Sequence, residues 1–290
     1  MELKLFRTLW GVTAPWTQTV SELREAGCCG IEARVPHTVA EQQALARRLQ
    51  TSALEYIAIV FSGGGVIPAQ REMPEQHLAR LRERFEAAKK LNPRFVNLLA
   101  GNDRWPLAQQ VDFLGRAHEL AQQYGLICSF ETHRATSLYS PWLTLEIIAQ
   151  LPQLRFTADI SHWILVSERL LDDPCDDLSP FIERVHHIQA RVGYDQGPQV
   201  PHPAAPEYRA ALAFQQQFWQ QIWQSQRERG YRQTTLTPEF GPDGYLHHLP
   251  FTNVPVADLW SLNAWMARQE ALHFHQFSSQ SGEENRNDPS

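Results

Sequence analysis

LICSFETHRATSLYSPWLTLEIIAQLPQLRFTADISHW, residues 126–163, carries the pattern on which the fold turns. An apolar run of strand length (126–133) contains Glu131 and His133 near its end. A Ser-Pro start then opens an amphipathic stretch (140–151), and a second short run (155–163) carries Asp159. Apolar runs of this length alternating with segments of helical period read as strand, helix, strand.

The same unit repeats in both directions. Upstream lie the strand candidates LFRTLWGV (5–12), GIEARV (30–35), EYIAIVF (55–61) and RFVNLLAG (94–101); downstream lie VHHIQARVG (185–193) and TTLTPEF (234–240). Helical periods fill the gaps at 17–27, 38–50, 73–91, 106–125, 176–185 and 206–230, and a last one follows at 254–274. Eight strands, each followed by a helix over roughly 270 residues, predict an α/β chain folded as a single (β/α)8 TIM barrel. An open doubly wound sheet would usually have fewer units and a Gly-rich phosphate turn after its first strand, where this chain has WGVTAPW (10–16). Residues 1–277 read as one barrel domain, and the polar stretch 278–290, SSQSGEENRNDPS, as a disordered tail. The Pro-rich loop YDQGPQVPHPAAP (194–206) is expected to lie over the barrel mouth.

Composition narrows the partners. With 43% hydrophobic residues, the 290-residue chain has ample material for a core. Lys+Arg of 26 against Asp+Glu of 32 leaves a net charge of -6, which disfavours binding to nucleic acid or an anionic membrane surface. No stretch has the length of a membrane span, and the first residues read as a strand rather than a signal peptide. Four cysteines, with Cys28 and Cys29 adjacent and Cys128 and Cys175 isolated, suit neither a disulfide framework nor a thiolate metal site. The expectation is a cytoplasmic protein with a small-molecule partner, with a homo-oligomer left open. In FQQQFWQQIW (214–223), Phe214, Phe218 and Trp219 read as a barrel-facing helix side rather than a subunit interface.

Strands buried on both faces should be almost wholly apolar, so polar residues near their C-terminal ends carry information. Four successive strands have them: Glu131 on the fifth, Asp159 on the sixth, His187 and Gln189 on the seventh, and Glu239 on the eighth. Strand alternation places Glu131 with His133, and His187 with Gln189 and Arg191, on common faces. Three converging carboxylates repel and hold protons unless a cation joins them. A divalent metal would do so, and with Glu131, Asp159, Gln189 and Glu239 as ligands the all-oxygen set suits Mn²⁺ or Mg²⁺, Co²⁺ and Zn²⁺ being further options. His187 is the alternative to Gln189, and Arg191 is either a substrate-binding group or a neutralising charge. Trp10, Trp105 and Trp163, at or past strand ends, could face a sugar ring or simply pack. Gly63–Gly65 could cradle a phosphate, but a lid or tight turn suits them better.

At these residues the chain resembles the xylose-isomerase-like superfamily, which holds sugar isomerases, ketose 3-epimerases, hydroxypyruvate isomerases and the endonuclease IV family. The resemblance spans about residues 5–270 and rests on the ordered set E-T-H, D-x-S-H, H-x-Q-A-R and P-E-F. It implies that the family's four metal ligands fall on Glu131, Asp159, Gln189 and Glu239, and its D-x-x-H histidine on His162. The family commonly has His where Gln189 stands, although hydroxypyruvate-isomerase-like members resemble this chain in using Gln. Arg191 also sits closer to the seventh-strand ligand than the substrate-binding Arg of the epimerases.

The implied activity is isomerisation or epimerisation of a sugar or small hydroxy-oxo acid through a metal-stabilised enediolate. Glu131 and Glu239 would move protons, while His133, His162, Arg191, Trp10 and Trp105 bind substrate. A lyase or dehydratase on the same scaffold is the alternative. An endonuclease IV-like phosphodiesterase is disfavoured, because its metal cluster needs additional histidines from earlier strands and the corresponding ends here offer only His37, well past its strand. A non-catalytic sugar-binding barrel sits poorly with two intact glutamates.

Overall fold

EYIAIVF is a strand as expected, Glu55–Phe61 (β3), because its β-branched and aromatic residues fill both faces of a pleated ribbon buried on each side. A computed structural model describes residues 1–284 and places β3 in a closed eight-stranded parallel barrel, each strand beside its sequence neighbours. The others are Glu2–Thr8 (β1), Cys28–Arg34 (β2), Val96–Leu99 (β4), Cys128–Glu131 (β5), Phe156–Ala158 (β6), Val185–Ala190 (β7) and Gln233–Pro238 (β8). Between them run Trp16–Glu25 (α1), Val39–Ser52 (α2), Pro74–Lys90 (α3), Leu107–Gln123 (α4) and Pro141–Gln150 (α5). Ser161–Ser167 (α6), Ser179–Ile182 (α7), Arg209–Glu228 (α8) and Leu259–Glu284 (α9) complete the ring. The chain is therefore a single (β/α)8 barrel. No helix among the described residues is long and apolar enough to cross a membrane.

Local chemistry sets the element ends. Thr38 and Glu41 form a reciprocal capping box that starts α2, and Pro74 opens α3 where no N–H is needed. Helix α3 buries Leu78, Leu81, Phe85 and Ala88, a stripe at helical spacing that packs onto the strands. Fully burying side chains of the Leu or Phe kind is worth about 1.5–3 kcal/mol each.

Some boundaries differ from the expected ones. The first strand ends at Thr8 because the chain turns at Gly11, whose φ of 77° and contact with Pro242 leave no room for a side chain. The sixth strand ends at Ala158: Asp159 Oδ1 accepts from both the backbone N–H and the hydroxyl of Ser161, turning the chain into α6. His162 and Trp163 thus lie on a helix. The loop 194–206 does not line the mouth cavity. Val200 N–H bonds back to Val192, and the Gln199 side chain bonds both backbone groups of Gly241, so the loop folds against the rim. Helix α9 takes in residues 278–284 of the stretch read as a tail, while 285–290 lie outside the described residues.

The main core fills the layer between strands and helices, and a second group, Phe6, Ile57 and Phe95, fills part of the barrel interior. The rest of the interior is polar, with Glu32, Asn97, Ser129, Thr157 and His187 all buried.

Candidate active site

Glu131 is the last residue of β5, Asp159 follows β6, Gln189 and Arg191 lie at and beyond the end of β7, and Glu239 follows β8. All five are buried, and the strand ends bring them to one place, the C-terminal mouth of the barrel. Above them opens a cavity of about 810 Å³ lined by Glu131, His133, Arg134, Arg191, Glu239, Trp10 and Tyr245, with Leu9, Ile59, Phe61, Val66 and Ile67 as apolar walls.

The carboxylates have separate partners. Glu131 Oε2 accepts from Asn97 Nδ2 at 2.7 Å, and Glu239 Oε1 accepts from Gln189 Nε2 at 2.9 Å. Asp159 Oδ2 accepts a hydrogen bond from Arg191 Nη2, and the same nitrogen lies 3.9 Å from Glu239 Oε2. Burial pushes the Glu131 carboxyl well above the usual range, with Asp159 and Glu32 adding to it. Burial does the same to Glu239 against the opposing pull of Arg191. Asp159 is raised by burial too, with Arg191 and Ser161 opposing. Burial works against the Arg191 charge, yet Asp159 and Glu239 overcome it and hold the guanidinium firmly protonated.

Two histidines, His133 and His162, pack against each other beside Asp159, with ring centroids 3.9 Å apart and planes tilted by 54°. His133 Nδ1 donates to the Arg134 carbonyl at 2.5 Å, leaving Nε2 with its lone pair. His162 Nε2 accepts from Arg191 Nη2 at 2.8 Å. Burial lowers His133 to about 3 and His162 well below its ordinary value, so both rings are neutral.

His187 lies deeper, its Nδ1 2.8 Å from Thr235 Oγ1 and its Nε2 3.3 Å from Glu32 Oε2, so both nitrogens are engaged. Trp10 reaches the cavity, where its Nε1 donates to Asp243 Oδ2 at 2.7 Å. Trp105 does not. Its indole N–H bonds to the Glu72 carbonyl and its ring packs on His77 and Phe113, so the expected sugar-facing role gives way to packing. Trp163 is likewise buried, bonded to the Leu138 carbonyl.

Sequence reasoning missed Glu32, whose Oε1 accepts from Asn97 at 3.0 Å and Gln189 at 3.3 Å and so joins three strands below the mouth. The signal was present: a glutamate inside GIEARV and an asparagine inside FVNLL are polar intrusions into buried strands. Tyr245 and Asp243 were missed as well, because they come from the loop after β8 rather than from a strand end.

The expectation of a metal rested on carboxylates without a counter-charge. Arg191 supplies one. In kind, the donors still suit a hard divalent ion: Glu131, Asp159 and Glu239 offer oxygens, and Gln189 Oε1 is buried with no partner. In spacing, with Arg191 between them, the carboxylates are not drawn together as a ready-made site: among the described residues no three or more His, Cys, Asp or Glu are gathered around one point.

A closed (β/α)8 barrel with three buried carboxylates in its C-terminal mouth defines a broad class of barrels built around an acidic polar site. Residues 20–204 match the xylose isomerase-like TIM barrel family, and the chain belongs to that family. No curated protein matches the sequence. Among solved structures, L-ribulose 3-epimerase is similar with a TM-score of 0.64 and 13% identity, covering 100% of both chains. A xylose isomerase-like TIM barrel protein from Mycobacterium smegmatis in complex with magnesium gives 0.60 and 11%, covering 91% of this chain and 95% of that one. Endonuclease IV from Thermus thermophilus gives 0.57 and 15%, covering 95% and 100%. At such identities the likeness is one of fold.

Proposed function

We propose that the chain is an isomerase or epimerase of a sugar or small hydroxy-oxo acid, acting by proton transfer at the carbon beside the carbonyl. The observation that carries this reading is the pair Glu131 and Glu239, both lining one cavity and both raised by burial well above the usual carboxylate range, so that each holds a proton more readily than a free carboxylate. One glutamate removes the proton and the other returns it. Delivery to the neighbouring carbon isomerises; delivery to the same carbon from the opposite face epimerises.

The oxyanion that forms needs fixed donors and charge, and the Arg191 guanidinium beside the cavity floor provides both. His133 Nε2, unprotonated, accepts from a substrate hydroxyl, and Trp10 offers an apolar face to the carbon skeleton. A divalent ion, when bound, would polarise the carbonyl and hydroxyl oxygens; Glu131, Asp159, Gln189 and Glu239 would hold it, with Mn²⁺ or Mg²⁺ suited to their oxygens. Gln189 is preferred to His187 because its oxygen is free while both His187 nitrogens are engaged. A cytoplasmic setting belongs to the same proposal, supported by four free cysteines.

The test is solvent-deuterium exchange. Aldoses, ketoses and small hydroxy-oxo acids are incubated with the protein in D₂O, with and without Mn²⁺, and followed by NMR. Deuterium should enter beside the carbonyl of the true substrate, with isomer or epimer formed. Conversion of a substrate with no solvent label and no loss of label from the reacting carbon would point to a hydride shift instead.

A further inference from the structure

We propose that Arg191 is the resident cation of this site, and that its guanidinium and a divalent metal ion compete for one position between Asp159 and Glu239. This competition rests on the oxygen ligand set named above and shares Arg191 and Glu239 with the proton-transfer reading, but metal affinity tests the one and deuterium exchange the other, so their failures are distinguishable.

The strand itself delivers the cation. Arg191 is two residues beyond Gln189, and the two-residue period of an extended chain aims both side chains at the same inner face, one pleat apart. A cationic side chain is thereby built into the ligand cluster itself rather than offered from a distant loop. The guanidinium is buried, with Nε donating to Ser161 Oγ at 3.2 Å and the ring of Tyr245 4.6 Å beneath its carbon. Nη2 touches Asp159 Oδ2, lies 3.9 Å from Glu239 Oε2 and donates to the neutral His162 ring. One nitrogen in contact with one carboxylate and within ion-pair range of the other stands where an ion bridging both would have to stand.

Two positive charges cannot share that place. Metal binding therefore requires the guanidinium to withdraw from Asp159, and Tyr245 and Trp10, the latter's ring 5.9 Å away, form an aromatic surface along which it can do so while keeping cation–π contact. An ion that binds only the fraction of molecules with Arg191 withdrawn shows an affinity reduced by that fraction. If the withdrawn state is about a tenth of the population, removing the guanidinium gains about tenfold.

The test is calorimetric titration of the metal-stripped full-length protein with Mn²⁺, paired with thermal melting. Arg191→Met should bind Mn²⁺ at least about tenfold more tightly than wild type, and Mn²⁺ should raise its melting temperature more. Arg134→Met removes a guanidinium that lines the same cavity without touching Asp159, and should change Mn²⁺ affinity by less than about twofold. Arg191→Gln, which keeps a donor for Asp159, replaces the methionine variant if that one does not fold, and should shift affinity the same way. Equal or weaker binding by the folded Arg191 variants would overturn the proposal, and so would equal tightening by Arg134→Met, which would reduce the effect to general charge.

Discussion

Glu131 and Glu239 occupy equivalent places at strand ends and meet the same penalty, since a carboxylate moved out of water without a full set of partners prefers to keep its proton. Glu131 hydrogen-bonds to Asn97, and Glu239 to Gln189, which leaves each with one oxygen for the cavity side. Replacing either by Gln preserves shape and removes the proton-transfer group. Glu131→Gln and Glu239→Gln should each lower kcat by about 100-fold or more, the scale of a lost general acid or base, with KM changed far less. Steady-state kinetics on the identified substrate checks this, and near-normal turnover in either variant would remove that glutamate from the chemistry. The sequence named both residues, because a carboxylate at the end of an apolar strand stands out without any knowledge of its neighbours.

The segment between β3 and α3 shows how an element is fastened. Ser62 Oγ accepts the Gly101 N–H at 2.9 Å and donates to His77 Nδ1 at 2.9 Å, while His77 Nε2 lies 3.3 Å from Glu72 Oε2. Arg80 joins Glu72 at 2.8 Å and the Ser62 carbonyl at 2.5 Å, so both ends of the glycine-containing stretch are tied down. Between them Val66 and Ile67 form part of the cavity wall. His77 is buried against Trp105 and Phe113, and burial lowers its pKa to about 4.

The sign of the linkage follows from that depression. As pH falls below the unfolded value of about 6.5, the unfolded chain takes up a proton that folded His77 refuses, so stability drops until the folded pKa is reached. His77→Phe keeps a ring in the aromatic pocket but cannot titrate. Between about pH 7 and pH 5 the stability of wild type relative to this variant should therefore decrease, by about 2 kcal/mol in the simple linkage estimate. Urea unfolding at the two pH values measures it, and a pH-independent difference would mean that His77 is not held neutral in the fold.

At the scale of the molecule, the seam between α8 and α9 closes the outer layer where β8 returns to β1. Trp219 and Trp223, one helical turn apart, are fully buried, and the Trp223 ring centre lies 5.0 Å from those of His273 and Phe274 and 5.8 Å from that of Phe277. On the same helix Phe218 is buried against Phe181 of α7, whereas Phe214 is only partly buried, so of the three aromatics read from the spacing Phe218 and Trp219 are packed inward. Trp223→Ala should lower unfolding free energy by about 3–5 kcal/mol, a large part of the roughly 5–15 kcal/mol typical of a folded protein. Chemical denaturation of the two proteins tests this, and a loss below about 1 kcal/mol would show that the seam repacks.

The number and order of the barrel units, and the polar residues that its mouth would collect, were written in the sequence. Both are local properties: apolar period distinguishes strand from helix, and a two-residue alternation assigns a face without reference to any other segment. Partner choice was not local. Arg191 meets Asp159 across 32 positions because β6 and β7 pair side by side, and Glu32 meets His187 across 155, a contact that exists only once the barrel has closed. Tertiary packing decided that the carboxylates already have a cation and that Trp105 points into packing rather than the cavity, and closure of the barrel brought Glu32 under the floor of the site. A side chain's type and face can be read along the chain, but the charge opposite it depends on which strand ends the barrel brings together.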